Sequence, residues 1–234
     1  LRNKTLQAFF IFIGFILKYF PIFMTLIFIK KKKFLFFFIA LVIVFSYFFY
    51  LDSFNSINNN MVEMALPIAY GSRTMLKAFY HLSMEYNYFL NDININFYRN
   101  LAILFCFLYA LSLILIGYII ENKKSSSLSI EKYFLAGASI YIGTFIIGAN
   151  ADYRLIFLIL TIPYIMDLED KKIKYLLLFC YFFSLNSFYF LSEPKLSAIF
   201  FIKASFIFTC KFLILSLLSF QIGSQMKKIE FFKL

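Results

Sequence analysis

The chain has 234 residues, of which 62% are hydrophobic and only 15% are charged, with 36 Phe, 17 Tyr and no Trp. A soluble fold of this length has too little interior to bury so much apolar surface, and disordered chains are poor in aromatic and aliphatic residues. Both classes are excluded, and a polytopic membrane protein remains. The net charge of +11 does not indicate nucleic acid, because the basic residues follow the pattern of membrane topology.

Seven apolar runs are candidates for membrane spans. A helix needs about 20 residues to cross a ~30 Å hydrocarbon layer, and continuous rather than alternating apolar runs favour helices over a barrel. The predicted fold class is therefore all-α, a polytopic transmembrane helix bundle of about seven spans that forms one integral membrane domain over residues 1–234. The predicted spans are 6–29, 34–51, 98–120, 133–149, 154–167, 173–191 and 197–220.

Two of these spans and the chain start are irregular. Lys18 and Pro21 interrupt the first run, which is either one kinked span or two half-spans. The run 154–167 would rise only about 21 Å as an α-helix, so it either crosses a thinned region or dips in and returns. The first residue is Leu and not Met, and without a basic region and a small-residue cleavage site it does not look like the end of a signal peptide. We therefore expect an N-terminally truncated fragment or a missing upstream portion.

The lysines set the orientation of the bundle. Lys30–Lys33 form a dense basic cluster, which assigns them to the cytoplasmic side. If the side alternates at each span, Lys171 and Lys172 also lie inside, whereas the connections 52–97 and 148–154 lie outside. The inner face then meets anionic lipid heads. The predicted location is the bacterial inner membrane, with lipids as partners and no nucleic acid.

One outer connection, residues 52–97, is much longer than the usual 2–8 residues between bundle helices. After Gly71 and the helix-capping Ser72, apolar residues recur at helical spacing, which predicts an amphipathic helix of about 18 residues on the outer membrane surface. This helix is interpreted as a cap on the bundle or as a lid over an embedded site. Asp52, where the loop leaves the membrane, is a candidate catalytic carboxylate.

The other outer connection carries Asp152 and Arg154 at the start of the shortest predicted span. Ionisable groups beside a membrane are costly unless they face water or a partner, so they are functional candidates. Asp152 is a candidate general base or cation ligand, and Arg154 offers the planar fork that binds phosphate. The alternative is an ordinary interfacial turn.

Three lysines interrupt apolar runs: Lys18, Lys203 and Lys211. Lys203 and Lys211 are eight residues apart, about 80° on a helical wheel, so they can face one groove and bind a lipid-linked phosphate. Snorkelling toward the interface is the alternative.

Cysteines and glycines within the runs point to packing rather than chemistry. The cysteines have no metal-ligand spacing and lie in apolar stretches. The glycines of the fourth run favour close contact between helices. These residues are Cys106, Cys180, Cys210, Gly137, Gly143 and Gly148.

The run from Gly148 to Pro163, GANADYRLIFLILTIP, resembles a motif of large bacterial membrane proteins that are similar to lipid-phosphate-dependent glycosyltransferases of the GT-C type. The resemblance implies a multi-spanning enzyme that transfers a sugar from a polyprenyl-phosphate donor on the outer face, with Asp152 and Arg154 lining the donor site. This chain is much shorter than a full transferase of that type, and Asp52 is the candidate for its first-loop carboxylate.

The sequence therefore predicts a membrane glycosyltransferase, or a related envelope-polysaccharide polymerase or ligase, that uses a lipid-linked sugar. Asp152 and Asp52 are the predicted catalytic residues, and Arg154, Lys203 and Lys211 the predicted phosphate ligands. No metal site or cofactor is predicted, with the need for a divalent cation left open. The alternatives are a transporter or flippase subunit and a non-catalytic membrane scaffold.

Overall fold

A computed structural model of the chain describes residues 4–17, 23–25, 27, 39, 69–71, 95–120, 128–147, 150–187 and 198–228. This part of the chain is helical apart from one pair of two-residue strands, which confirms the predicted all-α class. Its elements are α1 (Lys4–Leu17), β1 (Ala69–Tyr70), α2 (Ile95–Ile119), α3 (Leu128–Ile147), β2 (Asn150–Ala151), η1 (a 3-10 helix, Asp152–Thr161), α4 (Ile162–Met166), α5 (Lys171–Leu185) and α6 (Ala198–Lys228).

The side-chain contacts of α6 define how the helices run. Tyr109 of α2 bonds Ser216 at 3.0 Å, and the Lys227 ammonium donates to the Ile119 carbonyl at 2.8 Å. Because both residue numbers rise together, α2 and α6 are parallel. The rings of Phe183 and Phe206 lie 5.0 Å apart, where α5 runs antiparallel to α6.

Helix α3 is also antiparallel to α6. The Tyr141 hydroxyl donates to the Lys211 carbonyl at 2.6 Å, and Phe145 contacts Phe208 at a centroid distance of 6.3 Å. The bundle therefore has two ends. The Asp152 end holds the last residues of α3 and α5 and the first residues of α2, η1 and α6, and the Lys227 end holds their opposite termini.

Helix α6 is the central element of the bundle. Its second half is buried around most of its circumference, with Ile214, Leu215, Leu218 and Ile222 in the core. This burial follows from the sequence, because α6 has apolar residues on all of its faces and such a helix is stable only when other helices cover it. Helices α2, α3 and α5 supply the surrounding contacts.

Glycines set the closest helix contacts. A Cβ atom at Gly223 of α6 would overlap the Ile114 carbonyl of α2, and one at Gly117 of α2 would overlap the Phe220 carbonyl of α6. The same holds for Gly137, where a Cβ would lie 2.6 Å from the Phe157 carbonyl oxygen of η1. Gly143 contacts the Phe23 ring with no room for a Cβ. The predicted packing role of Gly137 and Gly143 is confirmed, while Gly148 lies outside the described residues.

The ten-residue 3-10 helix η1 is unusually long, since such runs rarely exceed 3–4 residues. Residues three apart eclipse one another in this geometry, and the burial follows that period: Leu155, Leu158 and Thr161 are fully buried, whereas Ile156 and Ile159 are 59% and 50% exposed. Pro163, with no N–H to donate, stands in the first turn of α4 and separates it from η1.

The conformation of η1 changes its reach. At about 2.0 Å per residue in η1 and 1.5 Å in α4, the segment Asp152–Met166 spans about 27 Å. With an α-helical rise, the predicted span 154–167 would have reached only about 21 Å.

Two described helical segments, Asn100–Ile119 and Ile202–Lys227, are long and apolar enough to cross a membrane. Leu155–Met166 is a shorter apolar helix. These lengths support association with a membrane. The predicted cap helix of the 52–97 loop lies outside the described residues, as does the predicted span 34–51 apart from residue 39.

Candidate functional site

The long 52–97 loop is joined to the short connection before η1 by strand pairing. Strands β1 and β2 are antiparallel, with Ala69 opposite Ala151 and Tyr70 opposite Asn150. Gly71 follows directly, is buried, and has a φ of 118°, a backbone region that residues with a Cβ rarely enter. The two predicted outer connections therefore meet at the Asp152 end.

Asp152 and Arg154 lie in the first turn of η1, immediately after β2. The first N–H groups of a helix have no acceptor within it, which makes this end favourable for anions. The side chains of residues 150–154 lie outside the described part of the structure.

Lys203 lies at the same level of the bundle as the Asn150–Ala151 turn. The contact between Tyr141 and Lys211 fixes the register of α3 against α6. Lys203 is eight residues earlier in α6, about 12 Å nearer the Asp152 end, and this brings it level with the residues that follow α3. Its side chain is partly exposed.

Lys211 does not share this position. It is only 2% exposed, lies in the bundle interior, and its backbone carbonyl accepts the Tyr141 hydroxyl. Lys203 and Lys211 therefore differ in depth along the bundle and in burial, although both can lie on one face of α6. Asp52 and Lys18 lie outside the described residues.

A buried polar cluster at the Lys227 end was not predicted. Tyr164 of α4 donates to Gln221 Oε1 at 3.2 Å and accepts from Gln225 Nε2 at 2.5 Å. The ring of Phe134 stacks on Tyr164 at 4.1 Å, and the buried Glu131 carboxylate is close enough to act on the phenol electrostatically. The signal in the sequence was two glutamines four residues apart, which occupy one helix face.

A second buried pair holds η1 to α5. The Thr161 and Tyr181 hydroxyls lie 2.6 Å apart, and the Thr161 hydroxyl also donates to the Leu158 carbonyl at 2.6 Å. Ser184, one turn farther along α5, is fully buried, and its hydroxyl has no hydrogen-bond partner among the described residues. This pair fixes the C-terminal end of η1, where it meets α4.

The cysteines are packing residues in the described bundle. Cys106, Cys180 and Cys210 are all buried with free thiols, and the thiols of Cys180 and Cys210 meet between α5 and α6. The described residues contain no group of three His, Cys, Asp or Glu side chains that could hold a metal ion. Comparison with protein-family models, curated proteins and solved structures gives no significant match for this chain.

Proposed function

We propose that this chain is a multi-pass protein of the bacterial inner membrane, acting as a glycosyltransferase or a related envelope-polysaccharide enzyme on a lipid-linked sugar. The observation that carries the proposal is the pairing of β1 with β2. This pairing joins the long loop to the turn that leads into Asp152 and Arg154, at the bundle end where Lys203 also lies. A loop beside an acid and two cations is the arrangement that a transfer between a lipid phosphate and a hydroxyl needs.

The surface of the bundle supports embedding in a bilayer. Helix α2 buries small residues such as Ala110 and Gly117, while Phe105, Leu108 and Leu115 are about half exposed on its outer face. An apolar surface of that extent is costly in water and suits lipid.

Aromatic and basic residues mark one boundary of the embedded region. Tyr133 and Tyr175 are 57% and 65% exposed, near the Lys227 end. Exposed tyrosines concentrate at membrane interfaces, with lysines beyond them on the cytoplasmic side. Lys171 and Lys172 are exposed at this same end, which supports a cytoplasmic Lys227 end and an outer Asp152 end.

The proposed chemistry assigns one role to each group. Asp152, or Asp52 from the loop, takes the proton of the acceptor hydroxyl as general base. Arg154 and Lys203 stabilise the negative charge that develops on the departing lipid phosphate. Lys211, about 12 Å deeper, influences that charge through the bundle interior rather than by contact.

The catalytic prediction concerns Asp152→Asn and Arg154→Ala. Each variant should lower the formation of glycosylated product by about 100-fold or more, the range for loss of a general base or a transition-state charge donor. The measurement is analysis of cell-surface glycan and lipid-linked sugar in cells that express equal amounts of each protein. Asp167→Asn, an exposed acid at the opposite end, is the matched control and should leave the product unchanged. Normal product from both variants would remove these two residues from the mechanism.

The embedding makes a separate prediction. Cysteines introduced as Asp152→Cys and Lys172→Cys should react with a membrane-impermeant maleimide from opposite sides of sealed cells and inverted vesicles. The segment between them has to cross for this result. The wild-type chain, whose described cysteines are all buried, gives the background. Reaction of both positions from the same side would overturn the topology and the site with it.

A transporter or flippase is the second candidate, and the observation that favours it is the change from η1 to α4 at Pro163. Interrupted helices near a substrate path are common in transporters. The glycan analysis separates the two functions. Loss of a flippase leaves completed lipid-linked sugar accumulated inside, whereas loss of a transferase leaves the acceptor unextended.

A further inference from the structure

We infer that η1 is a length-adjustable strut whose 3-10 conformation is held by the thickness of the surrounding bilayer and shortens toward α-helix when the bilayer thins. This inference rests on the proposed membrane embedding. It does not depend on the enzymatic assignment.

The segment Asp152–Met166 differs in length between the two helical forms. Asp152–Met166 spans about 27 Å with η1 in the 3-10 form and about 22 Å as a continuous α-helix. Only the longer form approaches the ~30 Å hydrocarbon thickness of an ordinary bilayer. A 3-10 helix has poorer hydrogen-bond geometry than an α-helix, so a ten-residue run needs a compensating constraint. Hydrophobic mismatch, whose cost grows with each ångström, supplies one.

The contacts of η1 show which end is fixed. At the Lys227 end, Thr161 bonds Tyr181 of α5 and the Leu158 carbonyl, each at 2.6 Å. In the middle of η1, the Phe157 carbonyl contacts Gly137 of α3. A Cβ atom at Gly137 would lie only 2.6 Å from the Phe157 carbonyl oxygen. Thr161 and Leu160 also lie close to Gly137, so the contacts with α3 hold the C-terminal half of η1.

The N-terminal end of η1, at Asp152, is the part that has to move when the segment shortens. It is preceded directly by β2, for which the described residues show two residue pairs with β1. Conversion of η1 to α-helix would draw Asp152 about 4.5 Å toward Thr161 along the helix axis and rotate it by about 180° relative to Thr161, since the two forms differ by about 20° and 0.5 Å per residue. The position of the proposed catalytic acid is thereby coupled to the lipid.

The test measures the length of the segment directly. Spin labels are attached to the purified protein at Ala151→Cys and Met166→Cys. Their separation is measured by pulsed electron paramagnetic resonance in vesicles of dimyristoleoyl, dioleoyl and dierucoyl phosphatidylcholine, in order of increasing bilayer thickness. The control pair is Leu101→Cys and Ile116→Cys in α2, also fifteen residues apart. Leu101, Ile116 and Met166 are well exposed, which suits labelling.

The expected result is a difference between the two pairs that depends on thickness. The control should stay near 22 Å in every lipid, and the η1 pair should read about 5 Å longer in the two thicker bilayers. In the thinnest bilayer the η1 pair should shorten toward the control. An η1 pair that keeps one distance in all three lipids overturns the inference, whichever distance it is.

A proline variant checks the mechanism independently. In a continuous helix, residue 163 would have to donate its N–H to the Ile159 carbonyl, which Pro163 cannot do. Pro163→Ala should therefore shift the shortening to thicker bilayers, and an unchanged thickness dependence would contradict the strut. Release of the chain from vesicles by alkaline carbonate would overturn the embedding itself, and the inference with it.

Discussion

Gly223→Ala is expected to lower the free energy of unfolding by about 3 kcal/mol or more, at the upper end of the range for overpacking. The new Cβ would fall on the Ile114 carbonyl of α2, a backbone atom that cannot rotate away. The two helices must separate along their whole contact, because Gly117 makes the reciprocal approach to Phe220 one turn away. The measurement is unfolding by titration of a denaturing detergent in mixed micelles.

The sign of this effect distinguishes packing from helix propensity. In an exposed helix interior, replacing Gly by Ala stabilises by about 0.5–1 kcal/mol, so a loss isolates the steric term. Ser112→Ala, on the exposed face of α2, should change stability by less than about 0.5 kcal/mol. The double variant Gly117→Ala with Gly223→Ala should cost less than the sum of the singles, since both act on one crossing. A Gly223→Ala chain more stable than wild type would show that this crossing is absent.

Long apolar runs were sufficient to predict the main helices. The runs 98–120 and 173–191 correspond to α2 (Ile95–Ile119) and α5 (Lys171–Leu185), because every backbone group in such a run is satisfied within the helix. The predicted end of the last helix, residue 220, was eight residues short. Gln221 and Gln225 lower the hydropathy there, but they are buried and hydrogen-bonded within the bundle.

The geometry of η1 could not be read from composition. The sequence of Leu155–Thr161 suits either helical form, and only the burial period of three, together with the close approach at Gly137, distinguishes them. Those contacts come from α3 and α5, so they depend on how the whole bundle packs.

The candidate site was predictable in part. Charge counting placed the 52–97 loop and the Asp152 turn on one side, and β1 and β2 do meet at one end of the bundle. A helical wheel puts Lys203 and Lys211 on one face, but it carries no information about depth. The burial of Lys211 follows from contacts with α3, seventy residues earlier in the chain.

Tyr164→Phe is expected to lower the free energy of unfolding by about 2 kcal/mol, within the 1–3 kcal/mol range for a buried polar group left without its partner. Removal of the hydroxyl takes the acceptor from Gln225 and the donor from Gln221, which bond it at 2.5 and 3.2 Å. Water cannot replace it easily, since Gln221 and Gln225 are almost completely buried. Tyr133→Phe, a 57% exposed tyrosine near the same end, is the matched control and should be neutral.

Replacement of the glutamines in the Tyr164→Phe background separates a hydrogen-bond network from simple packing. Tyr164→Phe combined with Gln221→Leu and Gln225→Leu should recover most of the lost stability, because apolar groups of similar shape leave nothing unsatisfied. Further loss on adding the two leucines would mean that the glutamines act with other partners, and that the phenol is incidental to them. Recovery would show that the polar network gives this end of the bundle no more stability than apolar packing does. Apolar side chains can supply the same packing without fixing how α4 meets α6.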